Sequence, residues 1–262
     1  MFDAYRGWRN EYFAPFGRVR GMISAARKLG LMPLVARLLG RDVNRNAREE
    51  VNIYTWKTRD YSLSSAQDWC YRRGGDQQSI WQATLGPGAV CFTTHPGGRG
   101  ERSPGYWTGS GSLPRVAQYR NLLFALYDID TSPGVYHTDR LVYTHAWLPE
   151  ERFDEVRALG SWTFARRGDA YLALAADRPV TRTRDDGEPG PPDELIAEGR
   201  RTAWVCRLGR RKDDGGFDGF IDALANADLS FSAGRGRFSD PAPGAVEVGR
   251  RGPLTVDGRD QS

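Results

Sequence analysis

The sequence predicts a mainly β protein. It reads as a large two-sheet antiparallel β-sandwich with a short N-terminal helical segment and one late helix. Three observations carry this. From Val51 onward, apolar and polar residues alternate with a period of two in run after run. Gly, Pro and Asp turn signals separate the runs. In that region only Phe217, Phe220, Ile221 and Leu224 recur at helical spacing. Many short alternating strands with frequent turns and few helices describe a sandwich rather than a parallel α/β sheet.

The elements follow in order. Residues 1–16 carry aromatics without a clear period. Val19, Met22, Ile23, Ala26 and Leu29 then recur at helical spacing, and Gly30 stops the run. Pro33 opens a second short helix with Leu34, Val35, Leu38 and Leu39, closed by Gly40. Its polar face is basic, and the segment is expected to lay its apolar stripe on a core. The boundary falls near residue 48, with a helical segment over 1–48 and the sandwich over 49–262.

Strands are expected at NIYTWKT (52–58) and YSLSSAQ (61–67). A hairpin follows in QQSIWQATLGPGAVCFTTHP (77–96), turning at Gly86-Pro87-Gly88. It puts Trp81, Ala83 and Leu85 on one face, and Val90 and Phe92 opposite Cys91, Thr93 and His95. Residues 96–113 form a glycine-rich loop with one buried-type anchor, Tyr106-Trp107; loops this long in a compact domain are usually functional or disordered. Val116–Ile129 reads as one central strand, apolar on both faces from Leu122 to Tyr127. LVYTHAWLP places Tyr143, His145 and Trp147 on one face. A second hairpin turns at Arg167-Gly168-Asp169, which accounts for the RGD tripeptide without an adhesion role. AWVCRL (203–208) is a buried strand. Asp213 or Asp214 is the expected cap of the late helix. The tail supplies three or four more strands.

Hydrophobic residues make up 39% of the 262, enough for a core, and aromatics 11%. The net charge of +4 favours an anionic partner. The basic residues are almost all arginine, with lysine only at 28, 57 and 212. Cys70, Cys91 and Cys206 show no metal-binding spacing, and Cys91 and Cys206 fall in apolar strands as buried thiols. No metal and no cofactor are expected. No run approaches the roughly 20 apolar residues of a membrane span, and MFDAYRGWRNEYF lacks the apolar centre of a signal peptide. The chain as written is therefore expected in the cytoplasm, unless it is the tail of a longer protein with an upstream signal. Neither a nucleophile elbow nor a phosphate loop appears. No nucleic-acid-binding motif accompanies the basic helix, so no nucleic-acid partner is expected.

The ordered motifs YTWKTRDYSLSSAQD, QQSIWQATLGPGAVCFTTHP, YWTGSGSLPRVAQYRNLLFALYD, THAWLP and FARRGDAYLAL resemble the C-terminal β-sandwich region of heparinase II/III-like proteins, over roughly residues 50–257. The resemblance implies an acidic polysaccharide or oligosaccharide as partner. It also implies an upstream (α/α) toroid whose last helices residues 1–48 would supply. The family's chemistry is β-elimination: a Tyr or His removes the proton α to a uronate carboxylate that Arg, Asn or Gln neutralises. Ser79 departs from the family pattern, where a His precedes IWQ.

The residues themselves supply candidates for such a site. His145, Tyr143 and His95 are the candidate acid–base groups, since imidazole and phenol move protons near neutral pH; His137 sits in a loop. Arg115 and Gln118 follow the glycine-rich loop and are candidates to hold a carboxylate. Trp81 and Trp107 are candidates to stack on sugar rings, with Gln82 bonding a hydroxyl. These residues are expected to converge in one cleft rimmed by residues 96–113. The alternative reading is a non-catalytic structural or glycan-binding module.

Overall fold

The computed structural model describes residues 21, 24–34, 37, 52–67, 79–98, 106–107, 111–130, 141–232, 234–240 and 244–261. The chain divides into two compact units, Met1–Glu50 and Val51–Ser262. In the first unit residues 24–28 and 32–34 are helical. Gly30 between them has φ 67, a left-handed conformation that ends the first turn where the sequence places the stop. The rest of the expected helical segment lies outside the described residues.

The second unit is built from strands β1 (Asn52–Lys57), β2 (Ser62–Gln67), β3 (Trp81–Gly86), β4 (Ala89–Thr94), β5 (Arg115–Tyr119), β6 (Leu122–Leu126), β7 (Tyr143–Trp147), β8 (Glu155–Leu159), β9 (Trp162–Arg167), β10 (Ala170–Ala176), β11 (Thr181–Thr183), β12 (Glu194–Glu198), β13 (Ala203–Arg210), β14 (Asp228–Ser232), β15 (Arg235–Asp240), β16 (Gly244–Gly249), β17 (Thr255–Val256) and β18 (Arg259–Asp260). A helical turn at Arg211–Asp214 and helix α1 (Phe217–Ala225) lie between β13 and β14. The strands make a seven-stranded sheet in the order β1-β2-β3-β4-β7-β12-β11 and a six-stranded sheet in the order β5-β6-β13-β10-β9-β8. The five tail strands form a third sheet in sequence order, β14 to β18. The fold is mainly β, and every pairing is antiparallel.

One core cluster joins the inner faces of the seven- and six-stranded sheets and includes Leu63, Trp81, Leu123, Leu174, Leu195 and Trp204. A second covers the other face of the six-stranded sheet. There Phe124, Phe164 and Tyr171 meet Phe220 of α1 and Phe238, Val246 and Val256 of the tail sheet. The expected apolar helix stripe is the one buried: Phe217, Phe220, Ile221 and Leu224.

Polar groups inside the sandwich are paired. The Trp81 indole donates to Thr93 Oγ1 at 2.8 Å, and the Thr93 hydroxyl meets the Tyr127 hydroxyl at 2.9 Å. Across the same interior Trp204 donates to Thr144 at 2.8 Å, and Thr144 bonds Thr202 at 2.6 Å. Gln118 ties β5 to β2: it accepts from the Ser65 hydroxyl at 2.7 Å and donates to the Leu63 carbonyl at 3.0 Å. It also donates to the Arg120 carbonyl at 2.9 Å, and its backbone N–H donates to Gln67 Oε1 at 3.1 Å.

Several expectations are corrected. Val116–Ile129 is not one strand but the hairpin β5–β6, closed by Arg120 and Asn121. Arg120 takes φ 52, and Asn121 holds the turn by donating its amide to the Leu208 carbonyl at 2.7 Å. The late helix is not capped by Asp213 or Asp214: its N-cap is Gly216, with no side-chain capping bond. Asp214 instead accepts from the Arg210 backbone N–H at 2.8 Å, at the end of β13. β8, β11 and β12 are strands the period-two pattern does not single out.

Gln118→Leu keeps the volume but strands buried partners, each worth about 1–3 kcal/mol when left unsatisfied. We expect a clear drop in the urea midpoint with an unchanged m-value. The exposed Gln82→Leu is expected to stay within about 0.5 kcal/mol of the parent.

Candidate functional site

Strand pairing places one set of side chains on the outer face of the seven-stranded sheet. Thr94 of β4 pairs with His145 of β7, and His145 with Ile196 of β12; Phe92 and Glu194 both pair with Trp147. Alternation puts Tyr143 on the same face. The opposite parity, Cys91, Ala146, Leu195 and Ala197, belongs to the core. Towards the β1 edge the same outer parity runs through Ser62, Ser64, Gln82 and Thr84.

His145 is the centre of a buried polar chain. Its Nδ1 lies 2.6 Å from Glu194 Oε1, and its Nε2 lies 2.6 Å from Thr94 Oγ1. The Tyr106 hydroxyl donates to the same Glu194 oxygen at 2.5 Å and accepts from the Tyr143 hydroxyl at 3.3 Å. A carboxylate only accepts, so the ring proton belongs on Nδ1, and Nε2 accepts from Thr94. The Trp107 indole lies flat on the imidazole, with ring centroids 3.8 Å apart and planes at 9°. Its N–H donates to Asp185 Oδ2 at 2.6 Å. Tyr106 meets the imidazole edge-on at 4.6 Å. Trp147 and Phe92 pack edge-on against Trp107 at 5.0 and 6.0 Å.

This environment sets the protonation. Burial lowers the His145 pKa from its ordinary value, against the pull of Glu194, so the ring is neutral at neutral pH. Burial, and then the bond to Glu194, raises the Tyr106 pKa far above the usual tyrosine range, so this phenol keeps its proton. Thr94, His145 and Glu194 have the hydroxyl–imidazole–carboxylate order of a hydrolytic triad. The threonine and histidine are 0% exposed, however, and the carboxylate 2%. Thr94 ends a regular strand rather than sitting on a sharp turn, and the Trp107 ring covers the imidazole. The chain of hydrogen bonds braces the sheet and positions the aromatic cluster above it.

The predicted site residues separate into groups. His145, Tyr143 and Trp107 come together. His95 has the inner-face parity of Thr93; its Nε2 meets the Leu141 carbonyl at 2.9 Å, and its ring lies beside Gly111, where an added Cβ would sit 2.9 Å from Nδ1. Trp81 is a core residue, 2% exposed, with no ring face open to a sugar. Gln82 is exposed and donates to Thr84 at 2.9 Å on the outer face. Arg115 is buried, with its guanidinium donating to the carbonyls of Gly249 and Gly252. Gln118 holds the sandwich together, as described above. The expected single cleft holding all of them does not form.

Sequence reasoning missed Glu194, Thr94 and Asp185. Glu194 and Asp185 are the two ends of the Gly/Pro-rich run 185–194, which reads as a surface loop; Glu194 instead opens β12, and its register against β7 brings it to His145. Thr94 sits next to a histidine that drew the attention. Among the described residues no group of three His, Cys, Asp or Glu side chains is arranged to hold a metal ion. Nor is any helix long and apolar enough to cross a membrane.

A histidine whose folded pKa is depressed binds its proton more weakly in the folded than in the unfolded chain. Its stability contribution is full above the unfolded value near 6.5 and is lost as pH falls towards the folded pKa. Thermal unfolding between pH 7.5 and 5 should show a falling melting temperature, with a slope approaching about 1.4 kcal/mol per pH unit from this proton. His145→Gln is expected to lower stability at pH 7.5 but to flatten that slope; an unchanged slope would mean that His145 is not its source.

Comparison with protein-family models, curated proteins and solved structures finds no match to this chain.

Proposed function

We propose that the chain is a carbohydrate-binding β-sandwich module of the heparinase II/III-like kind, contributing to the binding of an acidic polysaccharide without cleaving it. The observation that carries this reading is the partly exposed cluster of Trp107, Trp147 and Phe92 on the outer face of the seven-stranded sheet, continuing into Ser62, Ser64, Gln82 and Thr84. Apolar ring faces beside a row of hydroxyls and an amide suit a ligand with apolar C–H faces and many hydroxyl groups. The net charge of +4 supports an acidic chain over a neutral one. An upstream (α/α) toroid is the domain partner this reading carries with it.

Binding is favoured over β-elimination because of the proton chemistry. A lyase base must reach a carbon-bound proton and must itself be able to lose one. His145 is enclosed and bonded at both ring nitrogens, and Tyr106 holds its proton tightly.

The test is titration calorimetry with heparan sulfate, hyaluronan and alginate, alongside a neutral glucan. Saturable binding to at least one acidic chain is expected. Trp107→Ala and Trp147→Ala should each weaken it about tenfold, or about 1.4 kcal/mol. No unsaturated uronate should appear in the ultraviolet. Binding indifferent to both tryptophans would remove the sheet face from consideration, and turnover abolished in His145→Ala would make the module an enzyme.

A further inference from the structure

A second feature lies where the tail sheet meets the ends of β6, β10 and β13. An open cleft of about 570 Å³ is lined there by Arg178, Arg201, Arg235, Arg250 and Arg251. Two acids, Asp128 and Asp177, share its walls, and Phe231 supplies an apolar patch. Five arginines against two aspartates in one concavity leave a local positive excess that water and salt screen only in part.

The arginines fall into two kinds. Arg178 is fixed: it grips Asp177 through two bonds of 2.9 Å and donates to the Glu198 carbonyl at 2.7 Å and to the Arg201 carbonyl. Arg250 is held by the Tyr127 carbonyl at 2.6 Å. Both guanidinium groups lie in space that a neighbouring glycine with positive φ leaves open. At Gly199 (φ 119) an added Cβ would run into the Arg178 guanidinium, and at Gly234 (φ 76) into Arg250. Arg201, Arg235 and Arg251 are instead exposed at the rim, Arg201 with its Nε 3.5 Å from Asp128 Oδ1. The anchored guanidinium groups set positive charge into the wall, and the extended ones at the mouth carry planar forks of N–H donors towards the same space.

We propose that this cleft binds a compact tetrahedral oxyanion, a phosphate or sulfate ester group. The guanidinium fork matches two oxygens of such a group at once, which a single carboxylate offers to only one arginine. Phe231 gives the organic part of the ester an apolar surface. The site does not depend on the glycan reading of the sheet face.

The experiment is calorimetry at low salt with two probes, inorganic pyrophosphate and a sulfated heparin disaccharide. The double variant Arg235→Gln/Arg251→Gln removes two rim donors without disturbing Arg178 or Arg250. Arg237→Gln/Arg259→Gln makes the same change in net charge outside the cleft and serves as the control. Saturable binding of either probe, weakened about tenfold or more in the rim variant and far less in the control, is the expected result; which probe binds tells a phosphoryl ligand from a sulfated sugar. Trp107→Ala should leave pyrophosphate affinity unchanged. Absence of saturable binding with both probes, or equal losses in the two double variants, would overturn the site.

Discussion

The constraint on which the architecture rests is that the central strands of the six-stranded sheet are apolar on both faces. Leu122–Leu126 and Ala170–Ala176 are buried at every position. A half-polar sheet needs one covering layer, but this one needs two. The seven-stranded sheet covers one side. On the other, α1 and the tail sheet divide the work, with Phe220 against Phe164 at 6.1 Å and Phe238 against Trp162 at 6.2 Å. Gly236 belongs to the same solution: an added Cβ there would sit 2.8 Å from the Phe124 ring, so the strand approaches as closely as it does only because that position is bare. The tail is therefore part of the core, despite its short strands and polar composition.

Burying that much sheet also buries polar side chains, and their pairing decides what is left for function. The indoles of Trp81 and Trp204 each end on a threonine hydroxyl, Gln118 uses both ends of its amide, and Arg115 spends its guanidinium on two carbonyls of the tail. Unpaired, each would cost stability on the scale of a whole hydrogen bond or more. Residue types that suggest ligand contacts are here the means by which layers are joined. The His145 chain follows the same economy on the outer face, with the difference that it carries an aromatic cluster on its back.

The period-two signal made much of this fold legible in the sequence. The hairpin β3–β4, the interior strand at Leu122–Leu126, the shared face of Tyr143, His145 and Trp147, and the buried stripe of α1 all follow from local alternation or helical spacing. What was not legible depends on pairing between distant segments. Glu194 reaches His145 across 49 positions, and Tyr106 reaches Glu194 across 88. No local pattern encodes either register. The same limit explains the dispersed site. His95 and Thr94 are adjacent in sequence, but alternation sends them to opposite sides, and only the partner strand shows that the threonine faces His145. The single long strand read over 116–129 failed for a local reason: a two-residue turn at Arg120-Asn121 lacks the glycine that usually announces one.

Arginine content needs the same care. The chain has 37 basic residues, nearly all arginine, yet most of the described arginines of the sandwich unit are committed to structure. Arg166 and Arg167 serve Asp154 beside the Gly168 turn, Arg182 serves Glu150, and Arg210 serves Asp213. Asp186 shows the effect on the partner: its exposed carboxyl is held at about 2, first by Arg184 and then by the Glu188 backbone N–H. Net charge alone therefore does not locate a ligand, since a guanidinium already facing a carboxylate contributes little to the field outside. What distinguishes the cleft at the tail sheet is local imbalance combined with anchoring. Its acids are too few for its arginines, and Asp177 and backbone carbonyls hold the wall guanidinium groups in place, with two glycines leaving them room. The sheet face carries the partly exposed aromatic rings and the cleft carries the excess charge, so stacking groups and uncompensated guanidinium groups lie on different surfaces of one sandwich.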